Sequence, residues 1–160
     1  MQRASFEDMN CSIARSLEVI GEWWTLLILR DAFFGITRFD DFQARLGIAR
    51  NILTKRIDTL IDHGVLEPRC YDEARGRNDY VLTDKGRALW PVLVTIRQWG
   101  DEWLLGAGNE PVRMLHTTCG AQTTAVLTCD HCGEQLAGRE VRAVAGPGLD
   151  DPTALPTRPH

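Results

Sequence analysis

The chain lacks any long apolar run. Its most hydrophobic stretch, residues 23–34, is broken by Arg30 and Asp31, well short of the roughly 18 apolar residues that a spanning helix needs, so no membrane span is expected. The first eight residues, Met1-Gln-Arg-Ala-Ser-Phe-Glu-Asp8, lack the apolar segment of a secretory signal, and a cytoplasmic location is expected. Positive charge is not in excess either. The net charge of −4 argues against a generic nucleic-acid coat but leaves room for a local basic patch, because steering depends on where charge lies. No nucleophile, base and orienting group are set out together, which makes a small metalloenzyme the weakest of the functional readings. Cysteines number five, an odd count that in a reducing compartment points to metal or redox chemistry ahead of a disulfide framework.

What is present in 160 residues suffices for one ordinary core and a small annex. The organising stretch is 39–82. Phe39, Phe42 and Leu46 fall on one stripe of a short helix that Gly47 ends. Ala49, Leu53, Ile57 and Leu60 then form the inner face of a second helix, with Gly64 where a left-handed cap is expected. Two short helices joined through a glycine turn make a helix-turn-helix. The outer face of the second helix carries Arg50, Asn51, Thr54 and Lys55 near its start, with Arg45 just before and no acid from Gln43 to Arg56. A recognition helix reads base edges with its N-terminal residues, and a cationic patch there neutralises phosphate. The same residues would also serve as an ordinary solvated helix face.

The sequence beyond Gly64 favours the first use. Residues 65–71 and 79–82 read as two short strands, and 72–78 as a polar loop containing glycine. This is a hairpin wing with Arg75 and Arg77 at its tip, placed to reach phosphate or the minor groove.

At the start, Asn10 or Ser12 is positioned to cap a helix running to about Ile20, with Ile13, Leu17 and Ile20 as its buried stripe. Cys11 then lies at a helix N-terminus, where the positive end of the dipole favours an anion and hence a redox-sensing thiol. A small buried hydrophobe is the alternative use. The next helix, 22–34, is apolar nearly all round, as expected of a central core helix, with Trp23 and Trp24 as core or interface anchors or, less commonly, a ligand-stacking pair. Thr37 is placed to cap the following helix, with Arg38 beside it to meet backbone phosphate. After the wing, Thr83 caps a long helix over 84–105, kinked at Pro91, whose stripe Leu89, Leu93, Ile96 and Trp99 or Trp103 is too apolar for a small domain to cover. A leftover stripe on a terminal helix suggests a homodimer, which would supply two recognition helices for a pseudo-palindromic operator.

Residues 106–111 form a linker by composition. Past it, His116 and Cys119, then Cys129 and Cys132, set four soft ligands in two pairs, each pair followed by a glycine. That spacing suits tetrahedral Zn²⁺ in a closed, structural site; loose cysteines or two bridged pairs are the alternative. His131 is a bystander, 136–144 offers a further strand, and the proline-rich 145–160 is expected to be disordered.

In order along the chain, Cys11, Gly21-Glu-Trp-Trp-Thr-Leu-Leu-Ile-Leu-Arg-Asp31, residues 35–39, residues 48–60 with Leu53-Thr-Lys-Arg56, His63-Gly-Val-Leu66, Tyr80-Val-Leu-Thr-Asp-Lys-Gly86, Leu89-Trp-Pro91 and Trp99-Gly100 resemble the HxlR-type winged-helix transcriptional regulators, relatives of the MarR group. The resemblance spans residues 11–103. It implies a homodimeric repressor or activator joined through its terminal helices, responsive in some relatives to electrophiles or oxidants through a cysteine placed like Cys11. Two departures stand out: Glu22 replaces the lysine common in Gly-Lys-Trp, and the wing lacks the usual proline.

The sequence thus predicts an α+β winged helix-turn-helix with a C-terminal dimerisation helix (1–105), a zinc-ribbon-like annex (106–144) and a tail (145–160). The expected partners are double-stranded DNA, a second copy of the chain and a small-molecule effector. DNA contacts are expected from Arg38, Arg50, Asn51, Thr54, Lys55, Arg75 and Arg77. The competing reading is a protein-interaction module docking on transcription machinery, which would have no use for a basic wing tip.

Overall fold

A computed structural model describes residues 5, 6 and 8–149, and the chain divides into two compact units, 1–105 and 106–160. In the first unit, α1 (Ser12–Ile20) and α2 (Trp23–Phe33) lead into the helix-turn-helix pair α3 (Phe39–Leu46) and α4 (Arg50–Asp62). Gly47 between them takes φ 61°, a left-handed value that glycine adopts without steric cost. The hairpin β1 (Leu66–Asp72) and β2 (Arg77–Leu82) follows, then α5 (Asp84–Arg87) and α6 (Trp90–Gly100), extended by a π-helical turn, Asp101–Leu105.

The core joins Ile28 and Leu29 of α2, Phe42 of α3, Leu53, Ile57 and Leu60 of α4, and Ile48, Val65 and Leu66 from the segments around them. Ile48 rather than Ala49 turns inward, and Ala49 is the exposed N-cap of α4. The wing is antiparallel, with Leu66 opposite Leu82 and Arg69 opposite Asp79, and its pairing becomes irregular between Cys70 and Asp72. A 3₁₀ turn, Glu73–Arg75, closes it, and the Asp72 carboxylate accepts from the Arg75 N–H at 3.2 Å. Residues 37 and 38 lie along the outer side of β2: Tyr80 N–H donates to Thr37 O at 2.7 Å, and Arg38 bridges to Asp79.

Several local expectations are corrected. The N-cap of α1 is Cys11, whose side chain makes no capping hydrogen bond, because Ser12 is already the first helical residue. Of the expected stripe on α1, Ile20 is buried with Ala14, whereas Ile13 and Leu17 are 72% and 41% exposed. Trp23 is 85% exposed and no part of the core. Thr37 does not cap α3; Arg38 occupies that position, and the Thr37 hydroxyl donates to Asp79 Oδ1 at 2.9 Å because this residue serves the sheet. The helix expected over 84–105 is broken rather than kinked, since α5 ends at Arg87 and α6 starts at Trp90. Pro91 lies in the first turn of α6, where its missing N–H costs nothing. No helix among the described residues is long and apolar enough to cross a membrane.

In the second unit, β3 (Met114–His116) pairs antiparallel with β4 (Ala121–Thr123), and an isolated bridge joins Thr128 to Gln135. The strand expected over 136–144 does not form; Leu136 N–H instead bonds Leu127 O at 2.8 Å. Most of the expected tail, residues 150–160, lies outside the described residues.

Candidate nucleic-acid interface

The helix-turn-helix presents Arg50, Asn51, Thr54 and Lys55 as an exposed strip on the first half of α4. Each has a backbone reason for being there. Leu53, Arg56, Ile57 and Leu60 are buried, and a period near 3.6 residues then turns residues 50, 51, 54 and 55 outward. The Thr54 hydroxyl is held by the Arg50 carbonyl at 3.0 Å. Arg50 is oriented twice, with its guanidinium 4.6 Å from the Phe39 ring centre and its Nη1 3.4 Å from Asp40 Oδ1. Phe39 in turn meets Tyr80 edge-on, at 6.5 Å between centres. Cation–π contact at an exposed site contributes about 0.5–1 kcal/mol, enough to bias a rotamer without making the cation unavailable to phosphate. Tyr80 is half-buried beneath this platform, and its pKa is raised, first by burial and then by Asp58, with Arg50 opposing.

Other basic residues near the strip are withdrawn from it. Arg45 turns back to Asp31, Nε to Oδ2 at 3.3 Å, and Arg30 grips the same fully buried carboxylate from the other side at 2.9 Å. Arg56 is buried, with Nη1 3.6 Å from Glu22 Oε1 and its Nε without a partner among the described residues. Glu22 therefore supplies the counter-charge for Arg56, and a lysine in its place would set two cations together.

On the wing, Arg75 is exposed in the 3₁₀ turn with Nε 3.9 Å from Asp72 Oδ2, and Arg77 is exposed at the start of β2. Arg38, the N-cap of α3, rests 4.9 Å from the Tyr71 ring centre and 3.8 Å from Asp79 Oδ1. It is thereby tied to both strands of the wing. The aromatic seats Phe39 and Tyr71 were missed by sequence reasoning, since neither contact follows from helical or strand periodicity. Cys11 is exposed at the start of α1.

In the second unit the four soft donors stand in their two pairs. His116 Nδ1 lies 3.3 Å from Cys119 Sγ. Backbone N–H groups of Cys132 and His131, and then the Cys132 thiol, point at Cys129 and lower its pKa. All five cysteines are free thiols, so bridged pairs are not the arrangement. Among the described residues no three His, Cys, Asp or Glu side chains gather as a metal ion requires.

Residues 19–107 match the model of the HxlR-like helix-turn-helix family. An uncharacterized HTH-type transcriptional regulator from Mycobacterium tuberculosis (strain ATCC 25618 / H37Rv) is 42% identical over 138 residues, covering 86% of this chain and 87% of its own. A match that long runs past residue 107 into the second unit. The crystal structure of PA1607, a transcription-factor candidate, aligns with TM-score 0.79 at 40% identity over 89% of this chain and all of its own. The redox regulator HypR in its reduced form aligns with TM-score 0.53 at 26% identity, over 56% of this chain and 90% of its own. The relatives are transcriptional regulators, the helix-turn-helix and wing are in place, and the chain belongs to the HxlR-like helix-turn-helix family.

Proposed function

We propose that the protein binds a pseudo-palindromic operator in double-stranded DNA as a homodimer and regulates transcription in the cytoplasm. The observation that carries this reading is the sorting of charge on the helix-turn-helix. Arg45 and Arg56 are spent on Asp31 and Glu22, while Asn51, Thr54 and Lys55 stay exposed beside an aromatic-seated Arg50. Asn51 and Lys55, with Arg50, read base edges in the major groove, and Arg38, Arg75 and Arg77 take backbone phosphate. The dimer forms over the exposed apolar residues of α1 and α6, Ile13, Leu17, Ile96 and Trp99, with Trp103 beyond. The direct test is titration of the protein against duplex DNA from upstream of its own gene at several salt concentrations. A sequence preference, a steep fall of affinity with salt and a stoichiometry of two chains per site are expected; binding to every duplex alike would sink the regulator reading.

Regulation is assigned to a signal acting on the dimer, either a small-molecule effector or an oxidant or electrophile received at Cys11. The support for Cys11 is its exposure at the first turn of α1, beside a face assigned to the dimer, and the likeness to a redox regulator. Operator affinity of the wild type and of Cys11→Ser is to be compared with and without a mild quinone. Only the wild type should respond, and an equal response of both would rule Cys11 out as the sensor.

A further inference from the structure

The second unit has two donor-bearing turns and no core to explain why it folds. None of the described residues 106–149 is buried, and Leu115, Val126, Leu127 and Val144 are all more than half exposed. A unit that small and that open cannot balance its chain entropy by apolar burial. What it has are two hairpin turns of the same design. In the first, β3 and β4 flank the turn, and Gly120, at φ 72°, closes it with an N–H to His116 O at 2.7 Å. In the second, Leu136 bonds Leu127, Cys129 N–H bonds Glu134 O at 2.8 Å, and Gly133, at φ 76°, closes onto Cys129 O at 2.8 Å. Each turn holds two soft donors, the first and fourth residues of its loop.

The donor geometry is quantitative for the first turn. Two ligands sharing a tetrahedral Zn²⁺, with bonds of about 2.0 Å to nitrogen and 2.3 Å to sulfur, stand about 3.5 Å apart. His116 Nδ1 and Cys119 Sγ are 3.3 Å apart. In the second turn, Cys129 and Cys132 hold the same first and fourth positions, fixed by the Gly133 N–H on Cys129 O at 2.8 Å, with the backbone of the turn wrapped round both sulfur-bearing residues as a metal-bound thiolate requires.

We propose that His116, Cys119, Cys129 and Cys132 hold one structural Zn²⁺, which draws the two hairpin turns together and takes the place of a hydrophobic core in the second unit. Each binding thiol releases its proton to solvent, so the metal and the fold form together. Four protein ligands leave no position for water, so the site is structural and does not hydrolyse anything. His131 sits inside the second turn but is surplus to a complete set. The proposal is independent of the operator reading, because its donors and its turns lie wholly in the second unit.

The full-length protein, purified without added metal, should contain one zinc per chain by elemental analysis. Cobalt exchanged into it should give the visible d–d bands of a tetrahedral ion and the near-ultraviolet charge transfer of thiolate ligands. Cys119→Ala and Cys132→Ala should lower the metal content to background, while His131→Ala retains it. Chelation should open residues 106–149 to protease and leave the helical circular dichroism of the first unit largely unchanged. If either cysteine variant fails to express, the metal content and cobalt spectrum of the wild type still decide. A metal-free protein with a protease-resistant second unit, an octahedral cobalt spectrum, or loss of metal on His131→Ala would each overturn the assignment.

Discussion

Arg45, Arg50 and Arg56 belong to one short stretch and do three different jobs. Arg45 helps neutralise a buried aspartate, Arg56 is itself buried against Glu22, and Arg50 lies on an aromatic ring facing outward. Burial decides between them: an arginine that loses solvent must keep a partner, whereas one stacked at the surface can exchange a weak ion pair for phosphate. Division of labour should therefore be visible in single variants. Asn51→Ala is expected to relax preference at one base position by about 1–3 kcal/mol. Arg77→Ala should weaken all sequences alike and lower the slope of log affinity against log salt by about 0.9 for each phosphate that is no longer neutralised. Competition titrations with single-base operator variants distinguish the two, and equal loss of specificity from both changes would defeat this assignment. The exposed strip was legible from residue spacing, since apolar positions at steps of three and four leave the others outside. The withdrawal of Arg45 and Arg56 was not, because their partners Asp31 and Glu22 come from another helix.

Among the elements, the short helix α5 shows how closely this fold is joined. Thr83 bonds Gly64 O through its hydroxyl at 2.7 Å and Val65 O through its N–H at 3.1 Å, and Lys85 Nζ reaches His63 O at 2.7 Å. This brings Gly86 against the start of the wing, where an added Cβ would lie 2.2 Å from Val65 O. The neighbour is backbone and cannot step aside as a side chain would. Gly86→Ala should thus destabilise the first unit by about 1–3 kcal/mol through overpacking, read as a lowered urea midpoint. An unchanged midpoint would mean that α5 shifts freely on the strand. The motif ending at Gly86 could be recognised in the sequence, but its reason is a contact between residues 65 and 86. Pro91 shows the converse. Proline in a helical pattern announces a disturbance, yet only the folded chain shows that it takes the form of a clean break into two helices, with Leu89 and Leu93 packed on the core.

For the whole molecule, what one copy leaves uncovered matters most. Ile96 and Trp99 are 47% and 57% exposed on a helix whose other face, through Val94, is buried. Apolar side chains so placed are what a two-fold interface would cover. Trp99→Glu should convert the protein to monomer and weaken operator binding by at least roughly thirtyfold, the consequence of losing a hot spot of about 2 kcal/mol. Light scattering and operator titration on the same samples check this; a dimer of unchanged affinity would move the interface elsewhere.

Sequence alone determined the helix-turn-helix, the wing and the outward strip of α4, because periodicity and turn glycines are local properties that the chain carries wherever it folds. It also determined the two donor pairs with their following glycines. Tertiary structure decided which arginines remain outside, which tryptophan leaves the core, where the last helix breaks, and that Glu22 serves as the counter-charge of Arg56. Those outcomes depend on groups distant in sequence meeting in a low-dielectric interior, where an unpaired charge or a misplaced methyl costs more than any local preference can supply.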